Sequence, residues 1–568
     1  MKNFGNRLRC VAFAAVAAQS AIAQSVVAQS VVAQSVVAQS APSRTGNSRP
    51  GIDVLHYEFR VDFPPRTFPD TIRFVAATTF TRATGTNGSA LSLDLTRTLH
   101  VDSTQLNGAR TDFTRAGDSV RVALPANARD TINVTVFYHG LPTDGLIVRR
   151  DSTAGWTAFG DNFPDRARQW LATVDHPSDK ALVDWIVRAP ATHRVIANGE
   201  LVEESPESAT ASANMVRTHW RTARPIYTAV MVIGVAPFAV LELGSTACGL
   251  AEMHGCVHQS VWTSPAQRAV MPGAFARAGD IVALFSRLAG PFPYEKLTHV
   301  ASSTRYGGME NAAAIFYAAQ LFKPGSPSES LIAHETAHQW FGDAVTEREW
   351  PHVWLSEGFA TYFAALWSEH AHGDSALRND LTGMRATVLK AAISVEKPVI
   401  DEGLDDVGRV LNSNVYQKAG FVLHMLRREI GDSAFFRGIQ GYYAAHRHRN
   451  ALTSDLQHQF ERTSGRKLDW FFDQWLRRPG FAELETKWQW VAASKQLQVT
   501  VVQGSRFAPY RLSLAVDVTD AKGTAKRVRI AIPAQKSSTI TVPVTLARSP
   551  KAVVFDADVS MLGTILAR

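Results

Sequence analysis

Cysteine is almost missing from this chain, with 3 in 568 residues, at Cys10, Cys248 and Cys256. So few exclude a small disulfide-stapled scaffold, and a chain this long buries large cores without staples. Long apolar runs are missing as well. The run Val11 to Ala18 stops at Gln19 and Ser20, well short of the ~20 residues a membrane-spanning helix needs. No integral membrane segment is therefore expected in the mature chain. Blocks of one charge are absent too. The net charge is +8, but no run of basic residues interleaved with aromatics appears, which argues against a nucleic-acid partner. Hydrophobic residues make up 45% and charged residues 19%, the balance of a soluble globular protein of about three or four domains.

What is present begins with an export pattern. Lys2, Arg7 and Arg9 precede the apolar run, and Ala21-Ile22-Ala23 offers a cleavage site. Residues 1–23 are therefore expected to be a signal peptide. The pentapeptide Ser25-Val26-Val27-Ala28-Gln29 then repeats as far as Gln39, and Ala41 to Pro50 is polar and turn-rich. Residues 24–50 read as a low-complexity, disordered lead-in. Export implies a periplasmic or extracellular protein. Cys248 and Cys256 suit such a compartment as a local disulfide; two thiols, or a soft-metal site with His254 and His258, are the other readings. Asn87-Gly88-Ser89 and Asn133-Val134-Thr135 match glycan-acceptor triplets, which are common by chance.

Strand patterning dominates both ends of the remainder. Leu91, Leu93 and Leu95 alternate with polar residues, as do Val120, Val122 and Leu124, and Ile132, Val134, Val136 and Tyr138. Asn107-Gly108 and Asn198-Gly199 are turn signals. Residues 51–245 are expected to be a β domain and 246–480 mostly helical. Alternation returns in 483–568, at Leu497, Val499 and Val501, then Leu512, Leu514, Val516 and Val518, then Val528, Ile530 and Ile532. That last segment predicts a small antiparallel sandwich.

The chemistry sits in His334-Glu335-Thr336-Ala337-His338, with Glu357 after eighteen intervening residues. Two histidines four apart share one face of a helix, so both imidazoles can reach one metal ion. Glu335 lies beside them, placed to take a proton from a metal-activated water. Glu357 offers a third ligand, and two histidines with one carboxylate leave a fourth position open, as catalytic zinc sites do. Ser328 or Ser330 can cap the first helix and Gly342 can stop it. Trp350-Pro351 marks a loop, and Ser356 can cap a second helix starting at Glu357. A bare His-Glu-x-x-His also arises by chance in ordinary helices. Three further elements weigh against chance: the spaced Glu357, the run Gly307-Gly308-Met309-Glu310-Asn311, and Tyr416 on a helix expected from about Ser413 to Ile430.

Together these motifs resemble the M1 (gluzincin) metallo-aminopeptidases, the family of aminopeptidase N and leukotriene A4 hydrolase. Asp175-His176-Pro177-Ser178-Asp179-Lys180 is similar to a signature of the family's N-terminal domain. Gln474-Trp475-Leu476 and Arg478-Pro479-Gly480 resemble the segment closing its catalytic domain. The resemblance covers roughly residues 51–480. It implies a multidomain α+β fold: a saddle-like β domain, a thermolysin-like, mostly helical catalytic domain and a small C-terminal β-sandwich. It implies one zinc ion per chain held by His334, His338 and Glu357, with Glu335 as general base and Tyr416 donating to the oxyanion. It implies that Glu310 grips the substrate's α-ammonium group, while Gly307, Gly308, Met309 and Asn311 bind its backbone. Peptides with a free N-terminus are then the expected substrates. An epoxide hydrolase with peptidase activity shares the same motifs. A catalytically inactive scaffold predicts a lost ligand or base, and none is lost.

Three positions depart from the family pattern. Phe163 stands where a Gln or Glu often touches the substrate amine, with Asp161-Asn162 nearby. Asp343 replaces a usual Asn and is read either as a partner of a zinc histidine or as a helix-end polar group. Lys418 is followed by Ala419-Gly420 in place of Gly-Ala.

Overall fold

The computed structural model describes residues 51–64, 69–82, 90–125, 131–151, 155–207, 214–249 and 255–568. The export segment, the lead-in, the Asn87 triplet and His254 lie outside the described residues. The chain divides into two compact units. The first runs to Arg287 and adds Pro291–Thr346 and Asp405–Gly408; the second comprises Leu288–Gly290, Glu347–Leu404 and Arg409–Arg568.

In the first unit the alternating stretches become strands because one side of each can be buried. Ile132–Gly140 buries Ile132, Val134, Val136 and Tyr138. It lies in an eight-stranded sheet, beside Ile72–Arg82 on one edge and His100–Leu106 on the other. The sheet is antiparallel except where Ile52–Asp62 runs parallel to Leu182–Pro190. Asn107 and Gly108 take φ of 49° and 82°, the left-handed pair of a type I′ turn joining His100–Leu106 to Ala109–Thr111. Asn198-Gly199 also turns, but it links strands of two different sheets. Asn133 is not on a loop: it lies inside a strand, and its Nδ2 donates to Thr79 Oγ1 at 3.1 Å.

The expected helical stretch from residue 246 opens as a sheet. Ala239–Ala247, Cys256–Thr263, Lys296–Ser302, Ala314–Ala318 and Gly308–Met309 form five strands in that spatial order. Cys256 faces Ala247 across the first pair. Cys248 is buried, Cys256 is exposed, and the two are not bonded to each other, which corrects the disulfide reading. Among the described residues one helical stretch, 268–288, is long and apolar enough for a bilayer. It is broken into Arg268–Val270, Met271–Ala274 and Ala278–Leu288, and Ile281, Val282 and Phe285 are buried in the protein.

The second unit holds the helices Trp354–His372, Asp374–Lys390, Ala419–Ile430, Asp432–His446 and Thr453–Ser464. Two sheets follow, one of four strands and one of three. Leu497, Val499 and Val501 are buried in the first, and Leu514, Val516, Val518, Ile530 and Ile532 in the second. The four-stranded sheet is mixed rather than antiparallel: Gly563–Ala567 pairs in parallel with Ala482–Thr486. The Gln474 segment docks onto this region. Gln474 exchanges two hydrogen bonds with the Arg511 backbone (2.9 and 2.8 Å), and Trp475 stacks on Tyr510 at 4.7 Å.

Candidate active site

The helix Glu329–His338 starts where Ser328 accepts a hydrogen bond from the Leu331 N–H, at 3.3 Å. That cap fixes the helical phase, so His334 and His338 fall one turn apart on one face. Their Nε2 atoms lie 3.2 Å apart, with the rings at 84°. Nitrogens bound tetrahedrally at ~2.0–2.1 Å from one zinc ion would be about 3.3 Å apart. The pair therefore has the spacing a metal ion requires. The Nδ1–H of His338 donates to the Phe341 carbonyl at 3.2 Å, which leaves Nε2 as the ligand atom.

Gly308–Met309 is the terminal strand of the five-stranded sheet and pairs antiparallel with Tyr317 and Phe316. It lies so close to the histidine helix that a Cβ on Gly308 would meet the Glu335 carboxylate and, at 2.6 Å, its Cγ. The glycine is needed for that approach. Glu310, Glu335 and His338 bring their ligand atoms within 4.8 Å of one another, and all three residues are buried. The first unit thus gathers both histidines, the glutamate between them and the glutamate of the strand.

One residue behind this cluster was not singled out in the sequence. Gln339 is fully buried; its amide donates to the Glu310 carbonyl (2.8 Å) and to Asp343 Oδ2 (2.9 Å), and its oxygen accepts from the Ala313 N–H (2.8 Å). One side chain thereby ties the strand to the end of the helix and holds Ala313 at φ 64°. Asp343 serves Gln339, while the Phe341 carbonyl serves His338. Burial, then the Glu310 charge, raises the Asp343 pKa well above the usual carboxylate range. Lys180, from the N-terminal signature, donates to the carbonyls of Asp343 and Ala344 at 2.8 and 2.9 Å. Asp175 of the same signature accepts from Arg168 Nε (3.0 Å) and Thr228 Oγ1 (2.7 Å).

Asp161 is fully buried and accepts from Thr304 Oγ1 (3.1 Å), Arg305 Nε (3.0 Å) and Arg166 (3.0 Å). It therefore anchors the loop that leads into Gly307. Tyr306 adds a hydrogen bond to the Phe163 carbonyl at 3.2 Å. Asn162 is structural, donating to the Thr228 and Met231 carbonyls at 3.0 and 2.6 Å.

The second unit positions Glu357 and Tyr416 together. The helix carrying Glu357 begins at Trp354, not at Glu357, because the 3₁₀ turn Trp350–His352 runs directly into it; Ser356 is inside the helix, and Val353 holds the N-cap position. Glu357 keeps its place in the first turn. Tyr416 lies on a π-helical turn, Asn414–Lys418, ahead of the helix Ala419–Ile430 that Gly431 ends. Such turns are frequent at functional sites. Its hydroxyl donates to Glu357 Oε1 at 2.7 Å. The two helices meet where a Cβ on Gly358 would come 2.7 Å from the Ala419 Cβ, and one on Gly420 would come 3.0 Å from Thr361 Cγ2. The exchanged Ala419-Gly420 order therefore fits this packing. Lys418 is buried, which pushes its amine down to about 7.

Residues 278–475 match the Peptidase family M1 domain. Aminopeptidase N of Streptomyces lividans is 27% identical over 523 residues, covering 83% of this chain and 57% of that protein. Tricorn protease-interacting factor F2 of Thermoplasma acidophilum is 27% identical over 458 residues, covering 76% of this chain and 54% of that protein. Aminopeptidase M1-A of Oryza sativa subsp. japonica is 26% identical over 341 residues, covering 57% of this chain and 37% of that protein. This chain thus spans roughly a third to a little over half of those relatives. Among solved structures, the M1 zinc metallopeptidase from Deinococcus radiodurans is 25% identical with a TM-score of 0.65, over 76% of this chain and 94% of that one. A mutant of the same enzyme bound to a Tyr-Ser-Ala substrate is 26% identical with a TM-score of 0.64, over 78% and 96%. By its motifs, its fold and these likenesses, the chain is similar to the zinc metallopeptidases of family M1, and its residues 278–475 match that family's domain.

Proposed function

We propose that the chain is an exported, zinc-dependent aminopeptidase that removes residues from the free N-terminus of peptides. The observation that carries this is the cluster in the first unit: two Nε2 atoms at metal-sharing distance, with the Glu335 and Glu310 carboxylates beside them. Curated relatives carry the name aminopeptidase, and a structural neighbour was solved with a peptide. His334, His338 and, by its spacing in the motif, Glu357 would hold one zinc ion. When bound, zinc supplies Lewis acidity to the scissile carbonyl and brings water ionisation from ~15.7 towards ~7.

The rest is done by this chain's own groups. Glu335 takes the proton of the attacking water and passes it to the leaving amine. Tyr416 donates a hydrogen bond to the oxyanion as it develops. Gly308–Met309, terminal in its sheet, offers a strand edge to which a peptide backbone can add. Glu310, one residue on, then pairs with the α-ammonium group. A carboxylate at the end of that edge favours exopeptidase cleavage.

Export is supported by Lys2, Arg7, Arg9, the apolar run after them and the Ala21-Ile22-Ala23 site. Cell fractionation with N-terminal sequencing checks it; an intact Met1 on the cytoplasmic protein refutes it. For the activity, the purified protein should contain one zinc per chain and hydrolyse aminoacyl fluorogenic amides. Chelation should abolish turnover and zinc should restore it. Glu335→Gln should retain zinc and lose most turnover. Parent-like turnover in that variant removes Glu335 from its role, and a chain that neither binds zinc nor hydrolyses these amides overturns the reading.

A further inference from the structure

A cleft in the second unit is walled by three arginines from separate elements. Arg428 comes from the last turn of the helix Ala419–Ile430, Arg511 immediately precedes the strand Leu512–Thr519, and Arg529 lies on Ala525–Ile532. Trp470, Trp475 and Ser560 complete the walls, which contain none of the residues given a role in peptide cleavage. Glu429 also lines the cleft, but it is occupied by Arg466.

The local charges do not balance. Asp558 is approached by Arg529 at 2.7 Å, Arg428 at 3.8 Å and Arg527 at 3.9 Å. Arg527 is itself held by both oxygens of Asp517, at 2.6 and 2.7 Å, so Asp558 is the carboxylate shared by Arg529 and Arg428. Asp556 is held by Arg385 at 2.7 Å. Among the described residues Arg511 has no carboxylate partner; its guanidinium lies over the Trp470 ring, 4.2 Å from the centroid. Burial first, then the neighbouring Arg428 charge, lowers the Arg529 pKa although Asp558 opposes the shift. Crowded cations in a partly buried site raise the local affinity for anions.

Guanidinium forks match the planar or tetrahedral oxygens of carboxylate and phosphate. A water-sized sphere finds only about 20 Å³ in the cleft, little more than the ~10–15 Å³ that one water requires, so the occupant must be a small ion. We propose that this cleft binds a small oxyanion, a carboxylate or phosphate group, gripped by Arg511 and Arg529 with Arg428 at the rim. The indole face of Trp470 keeps Arg511 extended for that grip.

The test titrates the full zinc-loaded chain with inorganic phosphate and, separately, with acetate, by calorimetry at constant ionic strength set with sodium chloride. Saturable binding of either anion is expected, weakened about tenfold or more in Arg511→Gln and in Arg529→Gln. Loss of phosphate binding alone names phosphate as the ligand chemistry; loss of acetate binding alone names carboxylate. Arg511→Gln alters an exposed side chain and keeps the test valid if Arg529→Gln misfolds. Absence of saturable binding by the parent overturns the proposal. So does equal binding by parent and Arg511→Gln, since an anion held at the zinc would be indifferent to that change.

Discussion

Gly308→Ala is the sharpest perturbation the structure offers. The added methyl would sit 2.6 Å from Glu335 Cγ and against its carboxylate, whereas carbon atoms rest at about 3.5–4.0 Å. The Glu335 side chain must therefore retreat by about 1 Å. A displacement of that size in a reacting group costs about a hundredfold in rate, or ~2.7 kcal/mol of barrier. The clash involves the flexible end of a side chain and no backbone atom, so the fold and the two histidines should be unaffected. The assay is kcat on an aminoacyl fluorogenic amide, with zinc content and thermal midpoint measured on the same sample. The expected result is zinc at parental level, a nearly unchanged midpoint and kcat lower by about a hundredfold. A folded, zinc-loaded Gly308→Ala with kcat within about threefold of the parent would show that the Glu335 position does not govern the reaction.

Other changes separate the remaining roles. Glu310→Ala should cut kcat/KM for substrates with a free α-amine by about a hundredfold while leaving amine-blocked ones alone; an intact preference for free amines removes Glu310 from recognition. Tyr416→Phe should keep zinc and lower kcat by about 10²–10³, as for loss of one oxyanion donor; equal loss of zinc would instead make the tyrosine a support for Glu357. Lys180→Met leaves the Asp343 and Ala344 carbonyls without their ammonium donor. About 1.5–3 kcal/mol should be lost, lowering the thermal midpoint by roughly 2–5 °C for a unit of about 300 residues; an unchanged midpoint shows that the two hydrogen bonds do not stabilise the protein.

The residues that could be read from the sequence are those whose spacing converts directly into geometry. A four-residue separation on a helix puts two imidazoles on one face, and the 3.2 Å between His334 and His338 follows from it. Half-buried strands such as Ile132–Gly140 announce themselves by alternation. Lys296–Ser302 and Ala314–Ala318 do not, because they are covered on both faces and show no period of two. The strands that open the mostly helical region 246–480 went unread for that reason. Ser356 looked like a cap only because the 3₁₀ turn before it was invisible; Val353 already has helical angles, φ −56° and ψ −18°. The supports of the cluster were the least legible. Lys180 meets its acceptors 163 and 164 positions away, and Asp161 meets Arg305 across 144. No local pattern records a partner so distant.

The ammonium of residue 180 has a further bearing on how the catalytic segment can be handled. The stretch that matches the family starts at residue 278, yet the carbonyls just past its histidine helix are satisfied from a β region roughly a hundred residues upstream of that start. Arg305, also inside the matched stretch, leans on Asp161 outside it. Excising the chain at residue 278 would strip buried acceptors and a guanidinium of their counterparts, so the matched segment is expected to need its upstream sheets to fold and should be expressed with them attached.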